Sequence, residues 1–136
     1  MIAFNFTRHL VLARDLRLAN NFFERIWRLR GSFPLKEGEG FLIPSCHGIH
    51  TFGINYPIDV LYLNGNGEVL GMDEELPPNS LGAFRFRTCL VLELPAGTIR
   101  WSETKPGDVL GIEGGGDTNI MEPLRVSFSM PTLTRG

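Results

Sequence analysis

Ile49-His50-Thr51-Phe52-Gly53-Ile54 and Ile58-Asp59-Val60-Leu61-Tyr62-Leu63, joined by Asn55-Tyr56-Pro57 and followed by Asn64-Gly65-Asn66-Gly67, form the stretch on which the fold turns. Both apolar runs are too short for helices and are bounded by turn residues, so they read as strands. Asparagine and glycine accept the positive φ of a tight hairpin, which makes Asn64–Gly67 a turn and Val69–Met72 the return strand. In an extended 49–54 segment His50, Phe52 and Ile54 share one face, with Ile49, Thr51 and Gly53 on the other. Asp59 then shares a face with Leu61 and Leu63. An antiparallel pairing centred on Ile54-Asn55 sets His50 opposite Asp59, and a slip of one residue puts them on opposite faces.

Outward from this stretch the texture is short apolar runs separated by turns. Phe4, Phe6 and Leu10-Val11-Leu12 suggest an opening strand. Asp15 offers an N-cap, and Leu16, Ala19, Phe22, Phe23, Ile26 and Leu29 recur at three- and four-residue steps, which predicts a helix to about Arg30. Gly31 and Pro34 would stop it. Phe41-Leu42-Ile43 and Leu90–Leu94 read as strands, and Pro95-Ala96-Gly97 opens a short helix through Trp101. Lys105-Pro106-Gly107-Asp108 turns into Val109–Ile112, and Leu124, Val126, Phe128 and Met130 alternate as a last strand. Gly114-Gly115-Gly116 lacks the Gly-Lys-Ser/Thr of a phosphate cradle. The expected class is mainly β (α+β): a small barrel-like or strongly curled mixed or antiparallel sheet with one N-terminal helix packed on it.

A length of 136 residues fits one domain over 1–136. The chain is 43% hydrophobic and 21% charged, which argues against disorder. A net charge of −2 predicts no bulk attraction to nucleic acid or to an anionic membrane. Arg8, Arg14, Arg17, Arg25, Arg28 and Arg30 cluster early, but Asp15 and Glu24 intervene and a solvated face is the simpler reading. Cys46 and Cys89 are too few for a disulfide scaffold. Arg8 and His9 interrupt the first apolar run, so no signal peptide is expected there, and no run approaches the roughly 18 apolar residues of a membrane span. The expected compartment is the cytosol, with reduced thiols.

An ionisable group on an apolar strand face invites a chemical reading. A buried Asp59 beside His50 would raise the imidazole pKa and fix its tautomer, an arrangement suited to proton transfer. The structural alternative has Asp59 accepting hydrogen bonds from turn amides and His50 as a satisfied core residue. Cys46, His47 and His50 raise the question of a metal, yet their spacing matches no standard zinc site, and His9 is the only other histidine. No metal or cofactor is expected. Glu93, inside Cys89-Leu90-Val91-Leu92-Glu93-Leu94, and Glu74, on a face with Leu70, Met72 and Leu76, are weaker candidates.

Gly38-Glu39-Gly40-Phe41-Leu42, Ile49–Ile54, Pro57–Leu63, the Gly67 turn, Val91–Gly97 and Pro106-Gly107-Asp108, taken in order, resemble the bacterial and archaeal family called domain of unknown function 192. The resemblance covers about Asp15 to Ile112, with 113–136 as a C-terminal extension. It carries the family's residues onto His50, Thr51, Pro57, Asp59, Glu93 and Gly97. The chain departs from it in having Arg25–Leu29 where many members have Gly-Leu-Met, and the export signal that many members carry is not expected here. The resemblance implies no established activity.

These residues favour a module that binds a small molecule or peptide in a cleft near His50, Thr51, Asp59 and Glu93. A hydrolase or lyase with His50 as general base, Asp59 as its orienting group and Thr51 or Cys46 nearby is the alternative, although no catalytic motif accompanies them. A structural subunit pairing through a strand edge or the C-terminal segment is the third.

Overall fold

The computed structural model describes residues 1–19, 35–44, 47–83 and 85–114. Eight strands and one helix lie among them: β1 (Ile2–Asn5), β2 (Leu10–Ala13), β3 (Asp15–Leu18), β4 (Glu39–Pro44), β5 (Ile58–Leu63), β6 (Val69–Leu76), β7 (Leu90–Pro95), α1 (Thr98–Ser102) and β8 (Leu110–Glu113). They make a three-stranded sheet in the order β2-β1-β8 and a five-stranded sheet in the order β3-β4-β7-β5-β6. Every pairing is antiparallel except that of β3 with β4.

Ile58–Leu63 is a strand as read, and all six of its residues are buried. A continuous apolar run has this meaning: both faces of the strand are covered. Leu61 and Leu63, with Leu42, Leu92 and Leu94, face an inner core shared with Ala3, Leu12, Leu110 and Ile112 of the small sheet and with Ile99 of α1. Ile58, Val60 and Tyr62, with Phe41, Ile43 and Val91, face an outer core closed by Ile54 and Leu76. The Asn64–Gly67 turn joins β5 to β6, with Gly67 at φ 81 and Asn64 Oδ1 accepting from the amides of Asn66 and Glu68.

Three expectations are corrected. The described strands form two sheets, not a closed barrel or one curled sheet. The sheets share the inner core and are joined by local backbone links, such as the Glu68–Val109 bridge and Leu16 N–H donating to Met1 O, but no described ladder runs from one into the other, because β1 spends its ladder on β2 and β8. A helix does not begin at Leu16: Asp15–Leu18 is extended and pairs with Glu39–Leu42, and the described helix lies at Thr98–Ser102. The remainder of that helix reading, residues 20–30, lies outside the described residues, as does the strand expected at 124–130. Ile49–Ile54 is not a strand either. Its backbone turns, with Ile54 N–H donating to Thr51 O and Gly53 at φ 86, and it keeps one isolated bridge from His50 to Leu81.

Candidate functional site

The hairpin that would bring His50 to Asp59 is not formed. Asp59 stands opposite Leu94 on β7, so its side chain lies on the inner face with Leu61 and Leu63. It is fully buried, and both oxygens are occupied: Oδ1 accepts from Glu75 N–H and Oδ2 from Ile99 N–H, each at 2.8 Å. The ladder between β5 and β6 shifts register around Asp59, and Glu75 takes φ 51 there, which turns its amide onto the carboxylate. Burial is the chief cause of an Asp59 pKa raised above its ordinary 3.8. The Ile99 and Glu75 amides oppose the shift, and the Glu74 and Glu75 charges add to it.

Glu93, also fully buried, stands opposite Phe41 on one side and Val60 on the other, which places it on the outer face. The five-stranded sheet therefore separates Asp59 from Glu93. Thr51 belongs to the outer layer. Its hydroxyl donates to Pro77 O at 2.7 Å and accepts from Ser80 N–H at 2.8 Å, so it binds two loops together. His50, half-buried, stacks on Phe52 with ring centroids 4.8 Å apart, and its Nδ1 accepts from Phe52 N–H at 3.2 Å. That bond places the neutral ring's hydrogen on Nε2.

Pro57 is exposed, and Gly97 at φ 96 precedes α1. Glu74 is exposed and faces Arg100 at 3.7 Å, a surface pair worth little. Of the early arginines, Arg8 pairs with Asp108 and Arg17 with Asp15, while Arg25, Arg28 and Arg30 lie outside the described residues. Cys46 lies outside them too. Among the described residues no three His, Cys, Asp or Glu side chains stand close enough to hold a metal ion, and no helix is long and apolar enough to cross a membrane.

Two further clusters were not singled out from the sequence. On the outer face Tyr62 Oη donates to Asp73 Oδ2 at 2.6 Å, and Ala83 N–H reaches the same oxygen at 2.9 Å. Burial first, then the bond to Asp73 and its charge, push the Tyr62 hydroxyl far above its ordinary range. The hairpin turn is the signal that leads to this pair, since it sets Tyr62 opposite Gly71, two residues from Asp73 on the same face.

At the end of the small sheet Asp108 accepts from Asn5 Nδ2 at 3.1 Å, Arg8 Nε at 2.8 Å and Lys105 N–H at 3.0 Å. Burial alone would raise its pKa; the bonds from Arg8, Asn5 and Lys105, with the Arg8 charge, outweigh it and lower the value below 3.8. The two acids thus have opposite linkage. Asp108 stabilises the fold above its unfolded pKa, and that contribution disappears as pH falls through its folded value. Asp59, with a raised folded pKa, stabilises the protonated fold, so its share falls as pH rises from 3.8 through the folded value. Asp108→Asn is expected to flatten the loss of stability below pH 3.8, read by urea unfolding across the acid range. An unchanged acid slope would show that the network does not bias Asp108.

An open groove of about 600 Å³ lies between Val11–Arg14 of β2 and its turn, Leu35, Glu37 and Gly38 before β4, and Pro95–Thr98 with Trp101. The Asp59–Ile99 bond fixes the last of these walls, and Thr98 Oγ1 donates to Pro95 O at 2.7 Å. Trp101 is 65% exposed. The sequence placed Gly97 and Trp101 at a short helix, but which side chain of that helix would meet solvent depends on β2 packing beside it.

None of the curated proteins matches the chain. Two crystal structures share its fold. A protein of unknown function from Novosphingobium aromaticivorans DSM 12444 has a TM-score of 0.67 at 20% identity, with 82% of each chain covered. A candidate transcription regulator from Sinorhizobium meliloti 1021 has a TM-score of 0.62 at 22% identity, covering 80% of this chain and 88% of its own. At these identities the likeness concerns architecture alone. The family model DUF192, described as Uncharacterized ACR, matches residues 5–112, and the chain belongs to that family.

Proposed function

We propose that this domain is a binding module whose ligand, an extended peptide segment, lies in the groove between β2 and the Pro95–Trp101 turn. The observation that carries the reading is Trp101, largely exposed on a wall that Asp59 anchors from the buried side. A large aromatic kept at the surface is an anchor type common at binding sites. β2 is the edge of its sheet, and consecutive residues Val11–Arg14 line the groove, so a main chain laid beside them finds backbone as well as side chains. Arg14 and Glu37, both exposed, supply one charge of each sign at the groove. In this reading Asp59 is a support and not a proton shuttle. The exposed free thiol of Cys89 suits a reducing compartment such as the cytosol.

The test is selection of random displayed peptides on the full chain, followed by affinity measurement on Trp101→Ala. Selected peptides are expected to bind the variant at least about tenfold more weakly, with stability changed by no more than about 0.5 kcal/mol. Amide shifts on binding should fall at Val11–Arg14. Equal affinity for the variant, or shifts confined to the His50–Leu81 loops, would overturn the assignment.

A further inference from the structure

We propose that the outer loops, residues 47–53 with 79–83 and Arg85–Arg87, form a docking face for an anionic lipid surface. The two loops are zipped together by Thr51 N–H to Ser80 O and Gly82 N–H to Ile49 O at 2.8 Å, and Arg85 N–H to His47 O at 3.0 Å. Their underside is tied to the sheet through Ala83 N–H and Tyr62 on Asp73. Gly82 fits there because a Cβ would meet Tyr62 Oη and Ile49 Cγ2. The layer is thus held in place from below, and its apolar side chains still point outward. Leu81 is 73% exposed, Phe86 85% and Phe52 48%.

The charge on this face opposes that of the chain. No aspartate or glutamate occurs from 44 to 58 or from 76 to 92, on a protein of net charge −2. The acid beneath the loops, Asp73, is held by Tyr62 and Ala83 with the Arg85 guanidinium over neighbouring Gly71, and Arg87 is exposed beside Phe86. The net value argues against bulk attraction to anionic lipid. The loops themselves carry arginine and no acid, so this face is locally cationic on an acidic chain. The choice of a lipid partner follows from shape and chemistry. Side chains exposed to this degree project as convex tips, which a pliable interface can envelop, and apolar residues flanked by arginine are the composition that such an interface takes up. Single-stranded nucleic acid would use aromatic platforms for its bases, whereas Leu81, 73% exposed and bridged to His50, is aliphatic.

The experiment is co-sedimentation of the full chain with vesicles of equal parts phosphatidylcholine and phosphatidylglycerol, against vesicles of phosphatidylcholine alone. Binding is expected to the first and not the second, and to weaken with added salt. Arg87→Ala should reduce it about fivefold, and the Leu81→Ser, Phe86→Ser double variant at least about tenfold. Circular dichroism of both should match the parent, since these side chains are exposed. Trp101→Ala should bind vesicles normally, which keeps this proposal separable from the peptide groove. No binding to the anionic vesicles, equal binding to both kinds, or undiminished binding by the double variant would overturn the proposal. So would a chain that ignores vesicles and holds a single-stranded oligonucleotide through Phe86.

Discussion

Asp59→Ala is expected to lose about 2–4 kcal/mol of stability, because it leaves the buried Ile99 amide without an acceptor, at about 1–3 kcal/mol, and the part-buried Glu75 amide without one at a smaller cost of about 1 kcal/mol. The amides are those of Glu75, on the shifted register of β6, and Ile99, in the first turn of α1. Against a total stability of about 5–15 kcal/mol this is a large share. Urea unfolding measures it, and amide exchange locates it: protection should fall first at Ile99 and Glu75. Asp59→Asn keeps one acceptor oxygen but turns a donor toward one of the amides, so an intermediate loss is expected. A loss below about 0.5 kcal/mol in the alanine variant would return Asp59 to the list of groups held for chemistry.

Leu92→Ala is expected to cost about 2–5 kcal/mol. Leu92 lies on β7, the centre of the five-stranded sheet, fully buried between Leu42 and Leu61. Deleting its branched end opens a cavity that neighbours on two strands cannot close without breaking ladder bonds. The midpoint of urea unfolding should fall at unchanged slope. Leu81→Ala, exposed in a loop, provides the contrast and should stay within about 0.5 kcal/mol. If both variants unfold alike, the inner core is not where the stability resides.

Where local chemistry decides conformation, the sequence was readable. Asn64–Gly67 made a hairpin because its residues accept the turn, and Ile58–Leu63 made a two-sided strand because every residue but one is apolar. Leu16 and Ala19 fit a helical stripe, yet Leu16 and Leu18 fit an alternating strand as well. Parallel pairing with Gly40 and Leu42 decided between them, and that partner lies more than twenty residues away. His50 failed as a strand residue for a similar reason: Thr51 bonds to Pro77 and Ser80, which the 49–54 pattern does not contain. Asp59 stood out as an acid in an apolar run. Its partners did not, since one is 40 residues downstream and the other depends on a register shift. Trp101 read only as part of a short helix, because exposure at the groove comes from packing and not from spacing.

The small sheet also sets an order of events in folding. Its middle strand, β1, pairs Ile2 with Glu113 and Asn5 with Leu110, so the second of the two ladders must wait for residues made more than a hundred positions later. On a growing chain Ala3 and Leu12 have no Leu110 or Ile112 to meet until the described domain is nearly complete. The β4–β7–β5–β6 ladders can form earlier, but with one face open to water. Closing so long a loop is slow. Until β8 docks, the inner face of the large sheet lacks the Leu110 and Ile112 that complete its cover.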